Sequence, residues 1–180
     1  MIQSTRILIC WLFLLLITTA CSKTASNSAP ESAASPALAP SPQKVTSESV
    51  VKAAAQPVEI SAGGSAEAIV RVTIQGGYHI NANPPTYPYL KATALEISPA
   101  GGVSVGRVIY PKALDKKFPF AEKPLAIYEG ETNLKAMLKA DQAAKKGEQS
   151  IPAHLRIQAC DDQVCYPPGT LSLAIPVNIK

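Results

Sequence analysis

The sequence predicts an all-β antiparallel sandwich, on three observations. From Pro57 onward apolar residues recur at every second position, so that successive side chains point to opposite faces of extended chain. Turn signals at Gly63-Gly64, Gly76-Gly77, Pro99-Ala100-Gly101-Gly102 and Pro167-Pro168-Gly169 divide those runs at the spacing of a sandwich or barrel. The single stretch of helical composition is too short to form a layer, so sheet must cover sheet, and an immunoglobulin-like arrangement fits best.

In chain order, Val70, Val72 and Ile74 alternate with Arg71 and Thr73, and Leu95 and Ile97 flank Glu96. Val103 and Val105 are followed, beyond Gly106, by Val108 and Tyr110. Residues 134–146 are ambiguous: their composition favours helix, while Leu134, Ala136 and Leu138 alternate with Lys135, Met137 and Lys139 as a strand would. Ile151, Ala153, Leu155, Ile157 and Ala159 share one face, and Leu171, Leu173, Ile175, Val177 and Ile179 repeat the pattern.

The chain has 180 residues, 47% hydrophobic and 17% charged, but that average covers three unlike segments. In residues 1–20, Arg6 precedes the apolar run Ile7 to Ile17, which is the layout of a secretory signal and is shorter than the roughly 20 residues a membrane span needs. Thr18-Thr19-Ala20-Cys21 resembles the cleavage box of bacterial lipoproteins, with Thr18 where Leu is usual, so Cys21 is the expected lipidation site. Ser22 after it resembles lipoproteins sorted onward to an outer membrane. Residues 21–56 are rich in Ala, Ser and Pro and hold too little apolar area to offset the entropy of ordering, so they read as a disordered tether; residues 47–55 read alternatively as a short helix. The folding domain is then 57–180.

Removing Arg6, Lys23, Lys44, Lys52, Glu31 and Glu48, which lie before Pro57, leaves that domain 13 basic and 11 acidic residues, a net charge of +2. Such a balance offers no footprint for nucleic acid.

Of four cysteines, Cys10 lies in the signal and Cys21 at the lipidation site, which leaves Cys160 and Cys165. Export would bring these two to a compartment where disulfides persist. The four residues between them can loop so that the sulfurs meet, provided the α-carbons approach within about 7 Å. Extending the alternation from Ile157 and Ala159 turns Cys160 away from the core. A bridge across so short a loop should stabilise by less than the roughly 3 kcal/mol of a 15-residue loop, and an exposed disulfide is open to attack by thiolates. A redox role is therefore favoured over a hairpin staple. Asp161 and Asp162 disfavour a thiolate beside them, so exchange should depend on a docking partner; both read equally as loop solubility. No metal or cofactor is expected, because only His79 and His154 supply imidazoles and Met137 is the domain's one thioether.

The run Gln158-Ala159-Cys160-Asp161-Asp162-Gln163-Val164-Cys165-Tyr166-Pro167-Pro168 resembles the redox motif of the N-terminal periplasmic domain of the thiol:disulfide interchange protein DsbD. Gly77-Tyr78-His79-Ile80-Asn81 and Ile127-Tyr128-Glu129-Gly130 are similar to two further segments of that family. The resemblance implies an immunoglobulin-like periplasmic domain in which Cys160 and Cys165 are the redox pair. It also implies that Tyr78 and His79 neighbour the sulfurs, and that Phe118 and Phe120, in Lys117-Phe118-Pro119-Phe120, belong to a loop capping the pair. These two aromatics read equally as core or turn residues, and His79 as a lone surface histidine. In the family the chain continues into transmembrane and thioredoxin-like domains, so the expected partners here are a separate membrane thiol reductase and exported thioredoxin-like proteins. The competing expectation is a non-catalytic binding or scaffold lipoprotein with a static disulfide.

Overall fold

The structure, a computed structural model, describes residues 44–180. The expected signal segment, the expected lipidation site Cys21 and the expected tether up to residue 43 lie outside the described residues. Twelve strands follow in order: β1 (Val51–Ala55), β2 (Val58–Ile60), β3 (Ser65–Ile74), β4 (His79–Asn81), β5 (Ala94–Ile97), β6 (Val103–Ile109), β7 (Leu114–Lys116), β8 (Leu125–Tyr128), β9 (Glu131–Ala140), β10 (Gly147–Ile157), β11 (Ala159–Cys160) and β12 (Gly169–Ile179).

They form three four-stranded sheets, ordered β1-β3-β9-β6, β2-β12-β10-β5 and β11-β4-β8-β7. The first two make the sandwich. Val70, Val72, Leu134 and Leu138 of one sheet and Ile151, Leu155, Ile175 and Val177 of the other belong to one buried core. Removing each such side chain from water contributes about 1.5–3 kcal/mol, which is why the alternating positions choose the inner face. Pairing is antiparallel apart from β2 against β12, which is parallel.

The ambiguous segment resolves as strand. Leu134, Ala136, Leu138 and Ala140 are buried while Met137 and Lys139 are exposed, and β9 pairs on both sides, with β3 and β6. A central sheet position outweighs the helix propensity of Ala, Leu and Lys. The break in phase around Gly106 is a register shift between Val105 and Val108; a Cβ at Gly106 would stand 3.2 Å from the Met137 carbonyl oxygen.

One boundary differs from expectation. Residues 51–55, assigned by composition to the tether or to a helix, form β1 and pair with β3 from Val51↔Ile74 to Ala55↔Val70. Three alanines make the strand resemble spacer, yet Val50 and Val51 fill the core. Just before it the buried Ser47 Oγ accepts the Ala159 N–H (3.0 Å) and donates to the Pro167 carbonyl (2.7 Å), tying the start of the domain to its far end.

A chain truncated to begin at Pro57 loses β1 and both Ser47 bonds, and is expected to unfold at a clearly lower urea concentration than one beginning at Lys44. Equal midpoints would mean that β1 contributes nothing to stability.

Candidate functional site

The two cysteines meet because the chain changes sheets. β10 ends at Ile157, Gln158 steps out of the ladder, and Ala159 and Cys160 restart as β11, opposite Ile80 and His79 of β4. The inside–outside parity of β10 therefore does not carry through. Cys160, expected on the solvent side, is buried at 0% exposure. Cys165 is half-buried and joins it in a disulfide, with α-carbons 3.9 Å apart.

Gln158 braces the change of sheet. Its Oε1 accepts the Lys91 N–H (2.9 Å) and an Asn81 Nδ2 hydrogen (3.0 Å), and its Nε2 donates to the Tyr166 carbonyl (3.3 Å).

Asp161 builds the intervening loop. Its Oδ1 accepts the Gln163 and Val164 N–H groups, each at 2.8 Å, and its Oδ2 accepts the Tyr166 hydroxyl at 2.6 Å. An aspartate that caps its own loop in this way fixes the turn locally. The Tyr166 hydroxyl, and then the two amides, hold the Asp161 carboxyl below its ordinary value, and the same carboxylate pushes Tyr166 up to about 12. Asp162 is exposed and reaches the site only through its charge.

Tyr78 lies against Tyr166, ring centres 6.0 Å apart. His79 is not a surface histidine. It is 2% exposed, stands opposite Cys160, and stacks on Phe118 at 4.4 Å. Burial, then the Lys116 charge, lowers its pKa, against the opposing pull of Asp162, Glu129 and Asp161. The two phenylalanines divide. Phe118 is buried in a small core with Leu125 and Ile127, whereas Phe120 is 47% exposed and lines a cleft of about 310 Å³ with Tyr87, Leu90, Gln158, Val164 and Cys165.

Sequence reasoning missed Ser47, Gln158 and the Tyr87–Leu90 wall of the cleft. Ser47 was hidden in spacer-like composition, and Tyr87–Leu90 lies about seventy residues from the cysteines. Gln158 stands two residues before Cys160, and its polar side chain next to an apolar strand end was the available signal. Among the described residues no group of three or more His, Cys, Asp or Glu side chains is placed to hold a metal ion.

Asp161→Asn keeps an oxygen for the two amides but loses the charge facing Tyr166, so tyrosinate absorbance should show Tyr166 titrating back toward 10 from about 12. Because folding depresses the Asp161 pKa, the stabilisation it supplies is present above the ordinary carboxyl value of about 3.9 and fades as pH falls below it. That acid-side loss should be absent from the asparagine variant.

The family described as "Thiol:disulfide interchange protein DsbD, N-terminal" matches residues 46–175, a span that takes in Ser47, β1 and both cysteines. Among solved structures, the chain is similar to the N-terminal domain of DsbD from Neisseria meningitidis in its reduced form, with 23% identity over 65% of this chain and 82% of that one and a TM-score of 0.43. It is also similar to the N-terminal periplasmic domain of ScsB from Proteus mirabilis, with 18% identity over 70% of this chain and 46% of that one and a TM-score of 0.48. No curated protein sequence matches it significantly. With a match across most of its length and a cysteine pair closed as a disulfide, the chain belongs to the DsbD N-terminal family.

Proposed function

We propose that this domain is a periplasmic carrier that cycles Cys160 and Cys165 between disulfide and dithiol, passing electrons between a membrane thiol reductase and thioredoxin-like partners. Lipidation at Cys21 would hold it to a membrane, with the Ala/Ser/Pro-rich stretch after it as the tether, and Ser22 favours the outer membrane. The observation that carries the reading is the unequal burial of the two sulfurs. Cys160 is enclosed, while Cys165 is half-buried and opens onto a cleft rimmed by Phe120, Tyr89 and Val164, exposed by 47%, 70% and 53%. A disulfide serving only as a staple has no use for an apolar rim around one sulfur, whereas an incoming protein thiolate needs a dry surface to dock on before it can reach that sulfur.

Attack then falls on Cys165, and Cys160 is the sulfur that leaves. In the opposite direction Cys165 attacks first and Cys160 resolves. The neighbouring carboxylates keep the thiolates of this domain scarce, so exchange is slow with general reagents and fast with a partner that brings its own activated thiol.

Cys160→Ser leaves Cys165 free and should capture exported partners as mixed disulfides, while Cys165→Ser should capture few or none. Equal yields, or none from either variant, would remove the basis for this assignment. The reduction potential of the pair should lie above about −300 mV; a value well below it belongs to a static disulfide and supports a scaffold lipoprotein instead. Phe120→Ala with Val164→Ser, which strips the apolar rim without adding charge, should slow exchange with a captured partner while leaving the reaction with small thiols unchanged.

A further inference from the structure

We infer that His79 is the acid–base partner of the Cys160 sulfur, taking its proton when the pair closes and returning it when the pair opens. The inference rests on the interchange reading above and adds to it a residue that acts on one of the two chemical steps.

Cys160 is fully enclosed, so bulk water cannot collect or deliver its proton. The residue directly across the β11–β4 ladder is His79. Side chains of such facing residues start from β-carbons roughly 4.5–5.5 Å apart, within reach of an imidazole for a sulfur. The His79 Nε2 is itself buried and has no hydrogen-bond partner while the cysteines are joined. Buried polar atoms are rarely left so, and His79 is paired across the ladder with a cysteine that becomes a thiol on reduction, so the reaction itself can supply the missing partner. Phe118 stacks on the face of the ring, not on its edge.

The charges facing His79 come from three directions: Lys116 at the end of β7, Glu129 after β8, and Asp161 with Asp162 on the cysteine loop. Burial dominates and keeps the imidazole neutral at neutral pH, the form that accepts a proton. The same two aspartates that oppose a thiolate at Cys160 would stabilise the imidazolium formed in its place.

In the reducing direction the Cys165 thiolate attacks a partner disulfide. One partner sulfur becomes bonded to Cys165 and the other leaves as a thiolate. Cys160 then attacks the Cys165 sulfur as its own proton passes to His79 Nε2. The Cys160–Cys165 bond forms, the bond from Cys165 to the partner breaks, and the departing partner sulfur takes the electron pair and then the proton from the imidazolium. Two electrons have moved from the cysteine pair to the partner, and His79 ends neutral. Oxidation of a partner dithiol runs through the same steps reversed.

The test mixes the reduced full chain with a small aromatic disulfide whose released thiolate absorbs light, so that capture at Cys165 and resolution by Cys160 appear as two phases. In His79→Phe and His79→Gln the capture phase should be unchanged and the resolution phase slower by about 100-fold, the scale of a lost general base. Above the imidazole titration the wild-type resolution rate should be level with pH, whereas in both variants it should climb until Cys160 itself ionises. His79 variants that resolve like wild type would overturn the inference. So would a wild-type resolution rate that rises about tenfold per pH unit through neutrality, a result that needs no variant to fold. A wild-type chain that shows no capture at all overturns the interchange reading together with this one, while two normal phases with no histidine effect overturn only the role of His79.

Discussion

Gln158 stands where the chain leaves the long β10–β12 ladder for the short β11–β4 ladder, and its side chain binds three segments at once: Lys91, Asn81 and Tyr166. The site depends on that step. A strand continuing past Ile157 in the sandwich sheet would have carried Cys160 to the solvent face. By changing sheets, the chain buries Cys160 against β4 and returns through the loop so that Cys165 meets it from the accessible side. Asymmetry between the two sulfurs, on which the proposed order of exchange rests, is thus a consequence of topology.

The loop between the sulfurs is rigid by local chemistry. Two amides and a tyrosine hydroxyl converge on one carboxylate, so most of the Asp161 lone pairs are used inside the loop itself. Bonds to a charged acceptor are roughly twice as strong as neutral ones, which makes a six-residue segment definite without a core of its own. The negative charge that results is also unfavourable to thiolates. Order in the loop and the electrostatic penalty on a nearby thiolate therefore have one cause, and the proposed proton transfer to His79 would relieve that penalty.

Around this centre the aromatics have different duties. Phe118 stacks on His79 from a small core that is separate from the sandwich, while Phe120, two residues on, faces the cleft with Tyr87 and Leu90. A two-residue spacing would put both on one side of a regular strand, but this segment lies in the turn between β7 and β8, so strand parity does not govern it.

The sequence by itself determined the sandwich. Period-two runs such as Ile151 to Ile157 and Ile175 to Ile179 have only one way to bury their apolar face, and that preference is local enough to read from the chain. It also indicated which two cysteines pair, because five positions of chain are enough to form the loop that joins them. Tertiary structure decided what depends on distant partners. β1 is a strand because β3 pairs with it, although its composition is that of a spacer. Cys160 is buried because β4 receives it, although alternation pointed it outward. His79 acquires its buried, unpartnered nitrogen only where Phe118 and Cys160 converge on it from segments about forty and eighty residues away. Local patterning registers which face a residue prefers, and only the closed fold determines which other residues meet it there.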